Sequence, residues 1–254
     1  MKIPLGDYQI DILVSGFPGR SLYHGSLGWA TIALIRGRGR VIVLDGGSIG
    51  MRKLLIAGLA ERSVKPADVT DMLLSHAHHD HTINWPLFRQ ARIAIGRREM
   101  DYALQLPWGE STVPEFYVQE LKKWPSLHLV DDGEEVLPGI HAHLAPGHTP
   151  GSLIFAVHGK EYDVIFSADS AKNRAELLSR KTDMTYDAGV SAASIEKIRE
   201  LWSARPGSIV VPGHDLPMVF DGGKGRYLIG REAAIKAWYG NDLETITRFD
   251  LTEK

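Results

Sequence analysis

With 254 residues, 44% of them hydrophobic and 24% charged, the chain has an ordinary globular composition and enough length to bury roughly three-quarters of its unfolded surface. Its 29 basic and 31 acidic residues leave a net charge of −2 without a basic block, so nucleic acid is not expected as a partner. The absence of cysteine excludes disulfides, thiolate ligands and cysteine nucleophiles, leaving His and carboxylates to hold any metal.

Asp7, Gln9 and Asp11 interrupt an apolar leader near the first residue, and no run approaches the ~20 apolar residues of a spanning helix. The expectation is a cytoplasmic protein of one domain over residues 1–254, acting on a small molecule and without a membrane partner. Ile- and Val-rich segments bounded by Gly, Pro or Asp predict strands over 8–14, 30–35 and 41–44. Between the first two lies a loop over 15–29, rich in Gly and aromatics (Phe17, Tyr23, Trp29) and longer than most connections. Leu54, Leu55, Ile56 and Leu59 at helical spacing predict a helix over 52–61, and after the turn at Pro66 a strand over 71–74 leads to His76.

A strand over 91–95 and a helix over 98–106 come next, then an irregular aromatic region with Trp108, Phe116, Tyr117 and Trp124. Strands follow near 127–130, 141–144, 153–157 and 163–166, then a helix near 194–203 and a strand over 208–211. Two β-rich halves, each followed by helices, predict two sheets packed face to face with helices outside.

The chemistry concentrates in His76-Ala77-His78-His79-Asp80-His81. An extended strand end puts His76 and His78 on one side with Ala77 pointing away, a ligand pair for one metal. Past the bend, Asp80 and His81 can aim at a second point nearby. Imidazole nitrogen and carboxylate oxygen are zinc ligands, and a catalytic site must leave room for water.

The pattern His-x-His-x-Asp-His resembles the signature of the metallo-β-lactamase superfamily, and later segments resemble its remaining elements in order. The resemblance implies a four-layered αββα sandwich of the α/β class. Pro146-Gly147-His148-Thr149-Pro150-Gly151-Ser152 implies His148 as third ligand of the first metal. Ile165-Phe166-Ser167-Ala168-Asp169 implies Asp169 as the carboxylate touching both metals, and Val210-Val211-Pro212-Gly213-His214-Asp215 implies His214 as a ligand of the second. Val43-Leu44-Asp45-Gly46-Gly47 is similar to the family's early acidic turn, whose Asp supports the site from behind the ligands. His79 falls on the motif's free position, and His141 and His143 read as strand residues facing a sheet surface or solvent.

The implied enzyme is a hydrolase with two Zn2+ ions, Mn or Fe being compatible with the same donors, in which a bridging hydroxide attacks and Asp80 both binds the second metal and orients the nucleophile. Asp169, the lack of cysteine and the lack of a leader argue against penicillin hydrolysis. Chain length, the 15–29 loop and the insert after Ile95 are closest in character to N-acyl homoserine lactonases, which hydrolyse small lactones. Esters and amides suit the same chemistry, and a phosphodiesterase or nuclease, or a glyoxalase II-like thioesterase, are the alternatives. Those lactonases often carry tyrosine three positions after the bridging Asp, where this chain has Lys172. Candidate substrate contacts are Tyr23, His24, Trp85, Lys172 and Tyr186, with Trp108, Phe116 and Tyr117 as further apolar pocket candidates. The aromatic insert after Ile95 is a candidate homodimer surface.

Overall fold

The computed structural model describes residues 1–23, 25 and 27–252, and its described strands gather into two seven-stranded sheets and a separate hairpin. The first sheet runs in chain order: β1 (Lys2–Leu5), β2 (Tyr8–Val14), β3 (Ile32–Gly37), β4 (Arg40–Leu44), β5 (Asp71–Leu74), β6 (Arg92–Gly96) and β7 (Leu127–Val130). β1 to β4 pair antiparallel, β1 with β2 and β3 with β4 through short turns and β2 with β3 across the long 15–31 connection, whereas β4 to β7 pair parallel. Parallel neighbours need crossovers. These carry α1 (Arg52–Ala60), α2 (His79–Thr82), α3 (Arg97–Gln105) and α4 (Glu115–Lys122).

The second sheet contains β8 (Glu135–Leu137), β9 (Ile140–Leu144), β10 (Leu153–His158), β11 (Asp163–Ala168), β12 (Ile209–Pro212), β13 (Met218–Asp221) and β14 (Lys224–Tyr227), in reverse spatial order. Its one parallel pair, β11 with β12, is joined through α5 (Arg174–Ser179) and α6 (Ala188–Ala204). The hairpin pairs β15 (Ala234–Ala237) with β16 (Thr247–Asp250).

Alternation along the strands sorts side chains between layers. Ile10, Ile35 and Ile42 of the first sheet meet Ile140, Phe155 and Phe166 of the second, while Leu34, Val43 and Met72 turn outward onto Leu55 and Leu59 of α1 and Met100 of α3. On the other side, Ile154, Ile165 and Val210 pack against Ile195, Ile198 and Trp202 of α6. Each large aliphatic side chain so buried contributes ~1.5–3 kcal/mol. The result is helix, sheet, sheet, helix: the expected four-layered αββα sandwich.

The strands read over 8–14, 71–74 and 127–130 have those bounds, but α6 begins at Ala188 rather than 194. The region after Leu106 is not wholly irregular, because α4 buries Val118 and Leu121 under the first sheet. Among the described residues no helix is long and apolar enough to cross a membrane.

Candidate metal centre

Carboxyl ends of buried strands supply most of the site. β5 ends at Leu74 and leads through Ser75 to the 76–81 run, β11 ends at Ala168 just before Asp169, and β12 ends at Pro212 just before Gly213 and His214. The turn preceding β10 adds His148. Two non-glycine residues there adopt left-handed backbone, Asp45 (φ 54°) and Ala168 (φ 44°), conformations that persist where surrounding structure over-determines them. Gly213 is required for contact: a Cβ at that position would stand 2.2 Å from Asp169 Oδ1.

All seven side chains meet, forming the groups His76–His78–His148, His76–His81–Asp169 and Asp80–His81–His214. In the first group, His78 Nδ1 stands 3.1 Å from His76 Nε2 and 2.9 Å from His148 Nε2. The hydrogen-bond network determines what those atoms carry. The carbonyl of Met184 can only accept, so His148 Nδ1 donates to it at 3.1 Å and Nε2 is left bare. Ser75 Oγ gives its one proton to Asp45 Oδ2 at 2.8 Å, so it accepts from His76 Nδ1 at 3.0 Å and leaves His76 Nε2 bare as well.

Asp45 Oδ2 also accepts from His81 Nδ1 at 2.8 Å, while its Oδ1 accepts the Ser75 N–H at 2.9 Å. With its Nδ1 committed, His81 Nε2 faces Asp169 Oδ1 across 3.2 Å, and both are buried atoms without a hydrogen-bond partner, so a cation or a proton has to lie between them. Asp169 divides its oxygens between the groups: Oδ1 lies 3.2 Å from His214 Nε2, whereas Oδ2 lies 3.4 Å from His148 Nε2. Asp80 Oδ2 completes the second group, 3.4 Å from His214 Nε2 and 3.7 Å from His81 Nε2.

Lone pairs facing one another at such distances repel unless a cation lies between them. Ligands on ~2.0 Å bonds to a tetrahedral zinc stand about 3.3 Å apart, close to the separations here. The donor set fits a metal.

Electrostatics divide the cluster. Burial pushes His76 well down, His78 down to about 4 and His148 down to about 3, so these rings are neutral donors. Burial acts on His81 and His214 too, but there the carboxylates of Asp169 and Asp80, with Asp45 at His81, outweigh it and raise both rings. Asp169 is held well below the usual carboxylate range, since His214, His81 and His148 outweigh its burial. One half supplies neutral nitrogen; the other demands positive charge.

The model of the Metallo-beta-lactamase superfamily matches residues 30–214, which include every residue of the cluster. The chain belongs to the metallo-beta-lactamase superfamily. It is similar to a metallo-hydrolase of Methanocaldococcus jannaschii, 25% identical over 174 residues covering 68% of this chain and 70% of that protein. It is also similar to the N-acyl homoserine lactonase AttM of Azorhizobium caulinodans, 30% identical over 173 residues covering 63% of each. Among solved structures, AidC, a dizinc quorum-quenching lactonase, superposes with a TM-score of 0.66 at 20% identity, covering 90% of this chain and 96% of that one, a likeness of fold. The superfamily and these relatives identify a hydrolase.

The remaining candidates are scattered. Trp85 is a core residue, not a pocket wall: it is 4% exposed, edge-on to Trp124 at 5.0 Å, with its indole N–H donated to the Tyr117 carbonyl. Lys172 is committed to the protein, its Nζ reaching Asp183 O at 2.6 Å and Glu176 Oε1 at 3.0 Å. Tyr23 and Tyr186 are exposed, and Tyr186 stands edge-on to Tyr102 at 6.0 Å. Trp108 and Phe116 are exposed and edge-on at 4.8 Å. His24 lies outside the described residues. His79 is exposed, and His141 and His143 lie on β9 on the face opposite Ile140 and Ala142, both as expected from sequence.

Three supporting residues had no sequence signal. Ser75 relays Asp45 to His76, the Met184 carbonyl orients His148, and Glu99 ties two ligand segments together. Burial pushes the Glu99 carboxyl up to about 7, against the opposing pull of the Thr149 hydroxyl and the Ala77 and Gly151 amides.

Proposed function

We propose that this superfamily member is a dinuclear metal-dependent hydrolase of a small lactone, ester or amide, with acyl homoserine lactones as the leading substrate class. The observation that carries the reading is the division of Asp169: one oxygen faces His148, the other His81 and His214. His76, His78 and His148 would hold one ion, Asp80, His81 and His214 the other, with Asp169 between them. When bound, two zinc ions would lower the pKa of coordinated water toward neutrality and polarise the carbonyl oxygen of a substrate.

The protein's own groups fit that task. Asp80 has a side chain 23% exposed where Asp169 has 6%, and although burial raises its carboxyl, His81 and His214 outweigh it and hold the group ionised, able to orient an attacking water. Exposed apolar side chains lie on three segments bonded to the cluster or its neighbours: Leu22 and Tyr23 in the 15–29 loop, Trp108 and Phe116 in the insert, Met184 and Tyr186 after α5. The first is tethered by Thr31, whose N–H and Oγ1 bond the carbonyls of Gly213 and Pro212 at 2.7 and 2.8 Å. The second places the Thr112 carbonyl on the His79 N–H at 3.0 Å, and the third holds His148. Exposed apolar side chains on segments tied to the cluster favour an acyl or aromatic substituent over a bare phosphate. The ion pairing of Lys172 speaks against its taking the place of a tyrosine at the substrate.

The test is a substrate panel on zinc-loaded protein and an Asp80→Ala variant: acyl homoserine lactones, aryl esters, S-lactoylglutathione, nitrocefin and bis-p-nitrophenyl phosphate. Lactone or ester turnover, reduced at least about 100-fold in Asp80→Ala, is the expected result. Selective turnover of the phosphodiester or of the glutathione thioester would replace this reading with the corresponding one.

A further inference from the structure

Glu99, in the first turn of α3, is completely buried yet touches none of the seven cluster residues by hydrogen bond. Its Oε1 accepts the N–H of Ala77 at 2.9 Å; its Oε2 accepts the Thr149 hydroxyl at 2.6 Å and the N–H of Gly151 at 3.1 Å. Ala77 lies between His76 and His78, and Thr149 directly follows His148. One carboxylate therefore fastens both chain segments that supply the first imidazole group, although 22 residues separate it from one and about fifty from the other.

The fit is close on every side. A Cβ at Gly151 would stand 2.1 Å from the Glu99 nitrogen, so the His148 turn lies flush on the start of α3. The Thr149 hydroxyl also meets Ser152 Oγ at 2.6 Å, and Ser152 Oγ accepts the Thr149 N–H at 3.3 Å, locking the turn internally. A carboxylate is the side chain this position requires, because two backbone donors and a hydroxyl converge on acceptor atoms only. An amide has one acceptor oxygen and would turn its NH2 toward the N–H of either Ala77 or Gly151. Aspartate, one methylene shorter, cannot span both.

We propose that Glu99 is the positioning residue of the first metal group: it sets the approach of His78 to His148 by pinning their two segments, and leaves the Asp80–His81–His214 group to Asp45. This rests on the metal reading above. It predicts a site-selective defect, which a general loss of folding would not produce.

Cobalt titration of metal-free full-length protein, followed by visible absorption and chelator competition, tests it. Glu99→Gln should lose about 10–100-fold in affinity for one of two cobalt ions, the range for groups that orient ligands, with altered absorption from that ion and the other ion bound within about threefold of wild type. Thr149→Val removes one of the three donors and should give a smaller loss of the same kind, with Thr149→Ser restoring wild-type binding; this pair serves if Glu99→Gln does not fold. Equal loss of both ions, or unchanged affinity and spectrum in both Glu99→Gln and Thr149→Val, would overturn the proposal alone. Wild-type protein that takes up no cobalt would overturn the metal reading with it.

Discussion

Replacing Asp45 by asparagine tests the logic of the whole cluster without touching a ligand. The carboxylate is 2% exposed and accepts from Ser75 N, Ser75 Oγ and His81 Nδ1. An amide oxygen can keep the Ser75 N–H, but the NH2 group then confronts a hydroxyl proton and an imidazole proton. Both donors must reverse. His81 moves its proton to Nε2, facing Asp169 Oδ1 at 3.2 Å, and the Ser75 hydroxyl turns to donate to His76 Nδ1, which places a proton on His76 Nε2. One bare nitrogen is thus lost from each half of the cluster. Groups that orient metal-bound histidines are worth roughly 10–100-fold in metal affinity, or about 1.4–2.8 kcal/mol for each ion. Each ring keeps a partner after reversal, but metal-free protein also loses the carboxylate that helps raise His81, so it should lose about 1–3 kcal/mol, a shift of about 2–12 °C in a chain of this size. Zinc competition with a chromophoric chelator measures the first quantity, calorimetry of the metal-free protein the second. Wild-type affinity for both ions in Asp45→Asn, or a large loss of stability without loss of zinc, would refute the tautomer argument.

Lys172→Met separates anchoring from substrate contact. Lys172 and Glu176 have side chains only 15% and 5% exposed, so leaving the carboxylate with just the Lys172 and Asp183 amides should cost roughly 1–3 kcal/mol, below the 3–5 of a fully buried pair, read as a lower thermal midpoint with KM little changed; a raised KM at unchanged stability would identify a substrate contact instead. Glu99 gives a pH signature. Its folded-state value of about 7 lies above its ordinary 4.5, so its stability contribution is fully present below about 4.5 and is lost as pH rises through about 7. The arithmetic is 2.5 pH units at 1.36 kcal/mol each, about 3 kcal/mol. Denaturant titrations at pH 4.5, 6 and 8 should show wild type losing that much relative to Glu99→Gln across the range; parallel curves would show that Glu99 titrates normally.

Apolar segments are legible where burial shapes the chain, as in β2 and β5. α4 was obscured by its aromatic surroundings, since Phe116 is 70% exposed and only Val118 and Leu121 mark the buried face. The β13–β14 hairpin, absent from the expected elements, is marked in the sequence by Asp221-Gly222-Gly223, with both glycines at positive φ as a tight turn requires. In the site, spacing singled out the ligand types at His76, His78, Asp80 and His81, while His148, Asp169 and His214 depended on resemblance, because a lone Pro-Gly-His or a strand-ending Asp is common. Trp85 differs from its expected place at the substrate because an aromatic residue carries no mark of the side its ring takes, and here the ring is buried in the core.

The supporting residues expose a deeper limit and a division of labour. A metal site needs each ligand turned to present the correct atom and each segment held at the correct separation, and this chain assigns those tasks to different acids. Asp45, close in space to both groups, controls where protons sit on His76 and His81. Glu99, one layer further out at the start of a helix, controls where the 76–78 and 148–151 segments stand. The first task acts through hydrogen positions, the second through backbone amides, and neither leaves a spacing pattern along the chain. Both acids have to be buried and saturated with donors, because an unsatisfied carboxylate at either place would cost more than the order it imposes. That requirement accounts for the Ser75 hydroxyl between Asp45 and His76 and for the Thr149 hydroxyl on Glu99: each is the donor that an apolar residue of similar size would fail to provide.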